Sequence, residues 1–351
     1  MINWAIGDDK RQKGCRDNGA GKMIITRTPF RVSFAGGGSD LPSFYKKHGG
    51  CVLSTTINKY MHISVHPSFE AKETVLKYSR TEIVEDTSRI QHKYLKEILT
   101  FLDVKGVEVV STADVPAGTG LGSSSSFTVG VLHALYSYKG KFVSKERLAG
   151  EACEIEIGHL KNPIGKQDQY AAAYGGLNFF RFNTDGSVET EPVIMKESTR
   201  GQLEKNLMMF YTGQLHSASA ILKEQSSNII SGEREESQLK MCRLAEDLRD
   251  ALQAGRVDEM GEILHEGWKL KKTLAGGITN PVIDEAYETA MQNGAIGGKL
   301  LGAGGGGFLL FYVPEGKQKK VRDSISLSQM QMSFDRQGSA VIYVGDKPDI
   351  I

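Results

Sequence analysis

The segment Pro116-Ala117-Gly118-Thr119-Gly120-Leu121-Gly122-Ser123-Ser124-Ser125-Ser126 lies between an apolar stretch ending at Val115 and an apolar run beginning at Phe127. Glycine lets the backbone turn through positive φ and approach a ligand closely, and serine caps a helix by accepting from its free N–H groups. Phe127, Val131 and Leu135 recur every four residues, with Leu132 and Tyr136 beside them, which is helical spacing. A strand, a tight loop and a helix are therefore required in this order. A glycine loop that feeds a helix N-terminus is an anion site, with unpaired N–H groups at the positive end of the helix dipole. The segment reads as a phosphate-binding loop. A flexible Gly/Ser connector is the competing account, and the flanking apolar segments argue against it. No Gly-Lys-Ser or Gly-Lys-Thr closes the motif, so it is not a P-loop.

At 351 residues the chain is long enough for two domains or one large one, and 40% hydrophobic with 24% charged residues suits a soluble globular protein. A net charge of +1 gives no reason to expect nucleic acid or a membrane as partner, so any basic site must be local. Cys15, Cys51, Cys153 and Cys242 are widely spaced and form no C-x-x-C pair. Neither a zinc site nor a disulfide framework is indicated, and reduced thiols point to a cytoplasmic location. No apolar run approaches the ~20 residues of a membrane span. Residues 1–22 are polar, without the apolar core of a secretory signal, and read as a disordered extension before a natural start at Met23.

Alternation and turn signals predict strands at 23–28, 31–35, 51–57, 60–66, 74–78 and 106–112, with helices at 41–47 and 91–102. Ser144 is expected to cap a helix through residue 160, followed by a short helix at 168–174 and a strand at 177–182. The polar stretch 196–205 reads as a join between two lobes. Beyond it come a strand at 207–211, helices at 217–230, 233–254 and 257–274, and one opened by Asn280-Pro281. A strand at 308–313, a helix at 317–330 and a strand at 340–344 would close a second lobe whose sheet is covered on one face. The class is α+β, in two domains, 23–200 and 201–351.

Three glycine-bearing segments decide the reading: Arg27-Thr28-Pro29-Phe30-Arg31-Val32-Ser33-Phe34-Ala35-Gly36-Gly37-Gly38-Ser39-Asp40, the 116–126 loop, and Lys299-Leu300-Leu301-Gly302-Ala303-Gly304-Gly305-Gly306-Gly307-Phe308. In order and content they resemble the three motifs of the GHMP small-molecule kinases, from about Met23 to the C-terminus. Within that family the opening segment is most similar to the D-glycero-D-manno-heptose 7-phosphate kinases. Galactokinases carry Gly-Glu-His-Thr-Asp where this chain has Gly36-Gly37-Gly38-Ser39-Asp40, which weakens a galactose reading. The resemblance implies a two-lobe fold, with an N-terminal mixed lobe like a ribosomal-protein domain and a ferredoxin-like C-terminal lobe. It also implies transfer of the ATP γ-phosphoryl group to the anomeric hydroxyl of heptose 7-phosphate, giving the 1,7-bisphosphate for nucleotide-heptose and surface-polysaccharide synthesis.

Phosphoryl transfer needs a cradle for the ATP phosphates, a metal, a positioned acceptor and charge stabilisation. The cradle would be Pro116, Gly118, Gly120, Leu121, Gly122, Ser123, Ser124 and Ser125. The resemblance assigns Mg²⁺ to Ser124 and Glu156, with Glu154 as a rival two residues away. It assigns the catalytic roles to Asp168, in Gly165-Lys166-Gln167-Asp168-Gln169, and to Arg31 beside it. Competing accounts are a helix N-cap for Asp168 and an exposed strand arginine for Arg31. Asp40, with Gly37 and Gly38, would meet the sugar, and Gly305 would bring the second lobe to the site. Lys166, Lys161, Arg181 and Lys299 are the cations available for a 7-phosphate, and the sequence does not choose among them. His159, on the apolar stripe of Leu148, Ala152 and Ile155, reads as a core or boundary residue rather than a metal ligand. The implied partners are a sugar phosphate and ATP, and a homodimer is compatible with them. The alternatives are a fucokinase-like or galactokinase-like enzyme using an unphosphorylated sugar, and a catalytically silent sugar and ATP sensor.

Overall fold

The structure, a computed structural model, describes residues 22–214 and 218–345, so the expected N-terminal extension, all but Lys22, lies outside the described residues. The chain opens with β1 (Ile24–Ala35), α1 (Pro42–His48), β2 (Gly50–Pro67), β3 (Thr74–Lys77) and β4 (Thr81–Val84). β1 and β2 are each one long strand where two short ones are expected. Pro29 does not break β1 because the β1–β2 register shifts between Pro29 and Phe30, and an irregularity of this kind tolerates a residue without an N–H. Then follow α2 (Lys93–Phe101), β5 (Val107–Ala113), α3 (Ser123–Tyr138), α4 (Lys145–Cys153), α5 (Gln167–Tyr174), β6 (Asn178–Phe182) and β7 (Val188–Pro192). The Ser144 side chain caps α4 by accepting from the Arg147 N–H, and a π-helical turn at Glu154–His159 extends it.

The stretch expected to be a polar join is a helix, α6 (Glu197–Asn206), leading into β8 (Leu207–Tyr211). The remaining elements are α7 (Ala218–Ile230), α8 (Glu235–Gln253), α9 (Glu259–Lys272), α10 (Pro281–Gln292), β9 (Gly297–Leu300), β10 (Phe308–Tyr312), α11 (Gln318–Ser324), β11 (Ser328–Met330), β12 (Phe334–Asp335) and β13 (Ala340–Val344). The expected helix at 317–330 is thus cut short, and its last residues pair with β8 as a strand.

Two sheets organise these elements. The larger runs β13-β1-β2-β5-β3-β4, with β6 and β12 also on β2 and β7 on β6; the smaller runs β11-β8-β10-β9. The strand at 340–344 does not close the second lobe as expected. β13 returns to pair antiparallel with β1, Ile24 opposite Val344, so the last described strand lies beside the first. The smaller sheet is also covered on both faces rather than one. Met209, Leu310 and Tyr312 join the core shared with the larger sheet, while Met208, Phe210, Leu309 and Phe311 pack into a second core with Trp268. This follows the period-two alternation of side chains along a strand.

α3 is the pivot for the site. Nearly every side chain from Ser125 to Tyr136 is buried, because the helix is packed against β1 and β2 on one side and α4 and α5 on others. The Thr26 hydroxyl donates to the Gly130 carbonyl at 2.9 Å, locking β1 to the helix. The N-terminus of α3 is thereby held where β1, α5 and the smaller sheet converge.

Candidate active site

The loop 116–122 delivers the chain to α3 through Gly122, which has φ +74° at the N-cap position. The Arg31 N–H donates to the Leu121 carbonyl at 3.1 Å, hooking the loop to β1. Gly120 is required by both conformation and space: its φ is +79°, and a Cβ there would stand 2.7 Å from the Leu301 carbonyl oxygen. The 116–122 loop and the third glycine segment therefore meet backbone to backbone.

One cleft gathers Gly118, Gly120, Gly122, Ser123 and Ser124 from this loop, Arg31, Gly37, Gly38 and Asp40 from β1 and its turn, and Asp168 from α5. Leu121 is fully buried, Ser125 is buried, and Pro116 is exposed, with its carbonyl accepting from Thr119 Oγ1 at 3.0 Å. None of these three lines the cleft. Nor does Gly305, whose N–H turns back to the Ile278 carbonyl at 2.9 Å; Gly302 and Ala303 carry the third segment into the cleft instead.

Arg31 and Asp168 form a two-pronged ion pair. Arg31 Nε donates to Asp168 Oδ1 at 2.7 Å, and a second guanidinium nitrogen to Oδ2 at 2.8 Å. A third donates to the Gly120 carbonyl at 2.5 Å, so the same side chain touches the acid and the donor loop. Arg31 is not an exposed strand arginine: its side chain is 6% exposed, against 22% for Asp168. Asp168 stands in the first turn of α5 and makes no capping bond.

Asp40 is buried and accepts from the Gly38 N–H at 3.0 Å, the Gln167 N–H at 3.1 Å and the Gln167 amide at 3.0 Å. Burial, and then the charge of Asp168, push its carboxyl above the usual range, while the N–H groups work against them. Gly165 has to be glycine here, because a Cβ would fall 1.9 Å from Asp40 Oδ2.

Glu156 is fully buried beneath the loop rather than exposed on a helix face, and its neighbour Glu154 is exposed and faces His159. Its carboxylate accepts from Ser125 Oγ at 2.7 Å, Thr128 Oγ1 at 3.1 Å and the Gln169 amide. Burial pushes it up to about 7, and these hydrogen bonds oppose the rise. His159 is exposed and bonds Glu97 at 2.7 Å.

The four available cations separate. Arg181 faces Glu246, Lys166 donates to the Gly186 carbonyl over the Tyr45 ring, and neither they nor Lys161 line the cleft. Lys299 does, and so does Lys271, which the sequence reading passed over. Its signal was its phase: in α9 the buried residues Met260, Leu264, Trp268 and Lys271 follow one another at helical spacing, so a lysine occupies an apolar position. Ser33 and Gln167 were also missed; each lines the cleft with a buried side-chain oxygen that has no partner among the described residues.

A glycine loop at a helix N-terminus, beside a paired arginine and carboxylate in a shared cleft, has the parts that phosphoryl transfer requires. The description of the GHMP kinases N terminal domain matches residues 86–176, and that of the GHMP kinases C terminal matches residues 248–329. The chain belongs to the GHMP kinase family. It is 29% identical to a D-glycero-alpha-D-manno-heptose 7-phosphate kinase of Campylobacter jejuni, over 90% of this chain and 98% of that one. It superposes on the crystal structure of a D-glycero-D-manno-heptose 1-phosphate kinase from Bacteroides thetaiotaomicron with a TM-score of 0.76, at 26% identity over 92% of this chain and all of that one. A Lactococcus lactis galactokinase shares the fold with a TM-score of 0.72, at 16% identity over 91% and 95% of the two chains. The chain is thus a GHMP sugar kinase, and GHMP kinases use ATP.

Proposed function

We propose that this kinase transfers the γ-phosphoryl group of ATP to the anomeric hydroxyl of D-glycero-D-manno-heptose 7-phosphate, giving the 1,7-bisphosphate. The observation that carries the chemistry is the bidentate Arg31–Asp168 pair, hydrogen-bonded to Gly120 of the donor loop. Likeness to the Campylobacter jejuni enzyme over nearly the whole chain carries the choice of sugar.

The loop N–H groups and the α3 N-terminus bind the ATP phosphates. Asp168 takes the proton of the acceptor hydroxyl as the phosphoryl group arrives, and Arg31 orients that carboxylate while countering charge on the phosphoryl oxygens. Asp40 accepts from sugar hydroxyls, and the unpartnered oxygens of Ser33 and Gln167 supply further polar anchors. Hydroxyl and carboxylate oxygens are the hard donors Mg²⁺ prefers: Ser124 lines the cleft, and Glu156, buried beneath the loop and outside the cleft lining, has one lone pair of Oε1 left after Thr128. These two would hold the ion, which needs few protein oxygens and supplies charge neutralisation between the β- and γ-phosphates. The reading divides the chain at about residue 200, with β13 returned to the first unit.

An ADP-release assay across heptose 7-phosphate, the unphosphorylated heptose, fucose, galactose and mevalonate tests the substrate. Turnover is expected to be at least ~100-fold more efficient with heptose 7-phosphate than with any unphosphorylated sugar, as loss of a charged contact implies. Equal or better turnover of fucose or galactose would overturn this choice of acceptor.

A further inference from the structure

Two lysines enter the cleft from different elements of the second lobe, and neither has a carboxylate partner among the described residues. Lys299, on β9, is buried, and its ammonium donates to the Phe34 carbonyl at 3.0 Å. Lys271, in the last turn of α9, is buried, and its ammonium donates to the carbonyls of Leu300 at 2.9 Å and Gly302 at 2.6 Å. An ammonium has three donors, so Lys299 keeps two and Lys271 one beyond these bonds. The carbonyls that hold Lys271 flank Leu301, the residue packed against Gly120 of the donor loop. Arg31 donates to the Gly120 carbonyl. Arg31 and the two lysines therefore line one cleft with the 116–122 loop, the third glycine segment and Asp168.

Buried charges are costly unless paired, and the cleft's own carboxylates leave both lysines without an anionic partner. Asp168 is taken by Arg31, and Asp40 by backbone and amide N–H groups. Burial lowers both lysines, Lys299 to about 7, and the neighbouring cations add to the effect. An arriving dianion would reverse that. A structural tether alone would account for Lys271 but not for a second buried lysine with one bond.

We infer that Lys271 and Lys299 complete, with Arg31, a three-cation clamp on the phosphoryl group in transit. The two lysines are then catalytic residues that contact the transferring group's oxygens and supply the positive charge that Arg31, shared with Asp168, cannot supply alone. This rests on the reading of the cleft as the site of phosphoryl transfer, though not on which sugar accepts.

The test uses Lys271→Met and Lys299→Met in the full chain, assayed with whichever acceptor turns over best. Each is expected to lower kcat by about 100-fold, the scale of one electrostatic contact to a transition state. Affinity for Mg·ATP should stay within about threefold, while affinity for ADP with aluminium fluoride, a mimic of the group in transit, falls at least about tenfold. Ligand-free Lys299→Met should melt no lower than the parent, since it removes a buried charge. A kcat within about threefold of the parent in both variants, or unchanged affinity for ADP with aluminium fluoride, overturns the clamp. So does a loss confined to KM for a phosphorylated acceptor and absent with an unphosphorylated one, which would make the pair a holder of the acceptor's own phosphate. If no sugar in the panel is turned over, the substrate proposal fails while the fluoride measurement still decides the lysines.

Discussion

The donor and acceptor sides of this cleft are built by opposite means. The donor side, on the proposed reading, is nearly one contiguous piece of chain, residues 116–126, which presents backbone N–H groups at the start of α3. The acceptor side is assembled from side chains on β1, α5, α9 and β9, most of them buried and each oriented by a partner from another element. Backbone groups are the same whatever the residue, so the donor loop is specified by where glycine is allowed. The acceptor side is specified by charge, and its charges are held in place by packing. Substitutions on the donor side should therefore act through conformation and disturb stability and ATP binding together. Those on the acceptor side should act on turnover with little effect on the fold.

The largest expected effect belongs to Asp168→Asn, which keeps the shape and removes the base. kcat should fall by about 10³-fold with ATP affinity within about threefold, measured by steady-state kinetics and nucleotide titration. Near-normal turnover would remove Asp168 from the chemistry and leave the acceptor side defined by cations alone.

Gly120→Ala probes the donor side, where a Cβ meets the Leu301 carbonyl and φ is positive. Stability should drop by about 2 kcal/mol, with a parallel loss of ATP affinity, read by thermal melting with and without nucleotide. If ATP binding survives intact, the backbone contact between the glycine segments is not what shapes the cradle.

Glu156 lies under the boundary of the two sides. Its folded carboxyl titrates near 7, against 4.5 in the unfolded chain. Between these values the native state holds a proton that the unfolded chain has shed, so metal-free stability is fully present below pH 4.5 and is lost as pH rises through 7. The contribution is on the order of 3 kcal/mol at most. Denaturant titrations at several pH values should show a steeper decline in the parent than in Glu156→Gln. Equal slopes would mean that its three hydrogen bonds already keep the carboxylate ionised.

The smallest effect is expected far from the cleft. Ser144→Ala removes the cap of α4 and should cost about 1 kcal/mol of stability with kcat unchanged, by melting and assay. A change in turnover would show that α4 transmits strain to α5 and Asp168.

Residues whose roles rest on local chemistry were legible from the chain alone. The 116–126 loop before α3, the Ser144 cap and the Asn280-Pro281 helix start follow from the chain alone, whereas the pairing of Arg31 with Asp168 came from the family resemblance. The errors have a common cause. β13 was placed with its sequence neighbours, yet hydrogen-bond partners for a strand can come from any distance along the chain, and it pairs with β1. Strands were expected to stop on either side of Pro29, yet a proline's missing N–H matters only where the ladder needs it, and β1 runs through. Gly305 looked like Gly302 and Ala303, and only the packing against Ile278 separates them. Lys271 looked like Lys269 and Lys272, which are exposed, until the phase of the buried stripe set it apart.

By itself the sequence determined that a glycine loop opens a helix and that two further glycine segments accompany it, because glycine positions and helix periodicity are local properties; the acid and the arginine were named by resemblance. Only the tertiary structure decided which charges share the cleft. Burial and pairing depend on elements brought together across hundreds of residues, as Phe34 and Lys299 are, and local pattern carries no record of that distance.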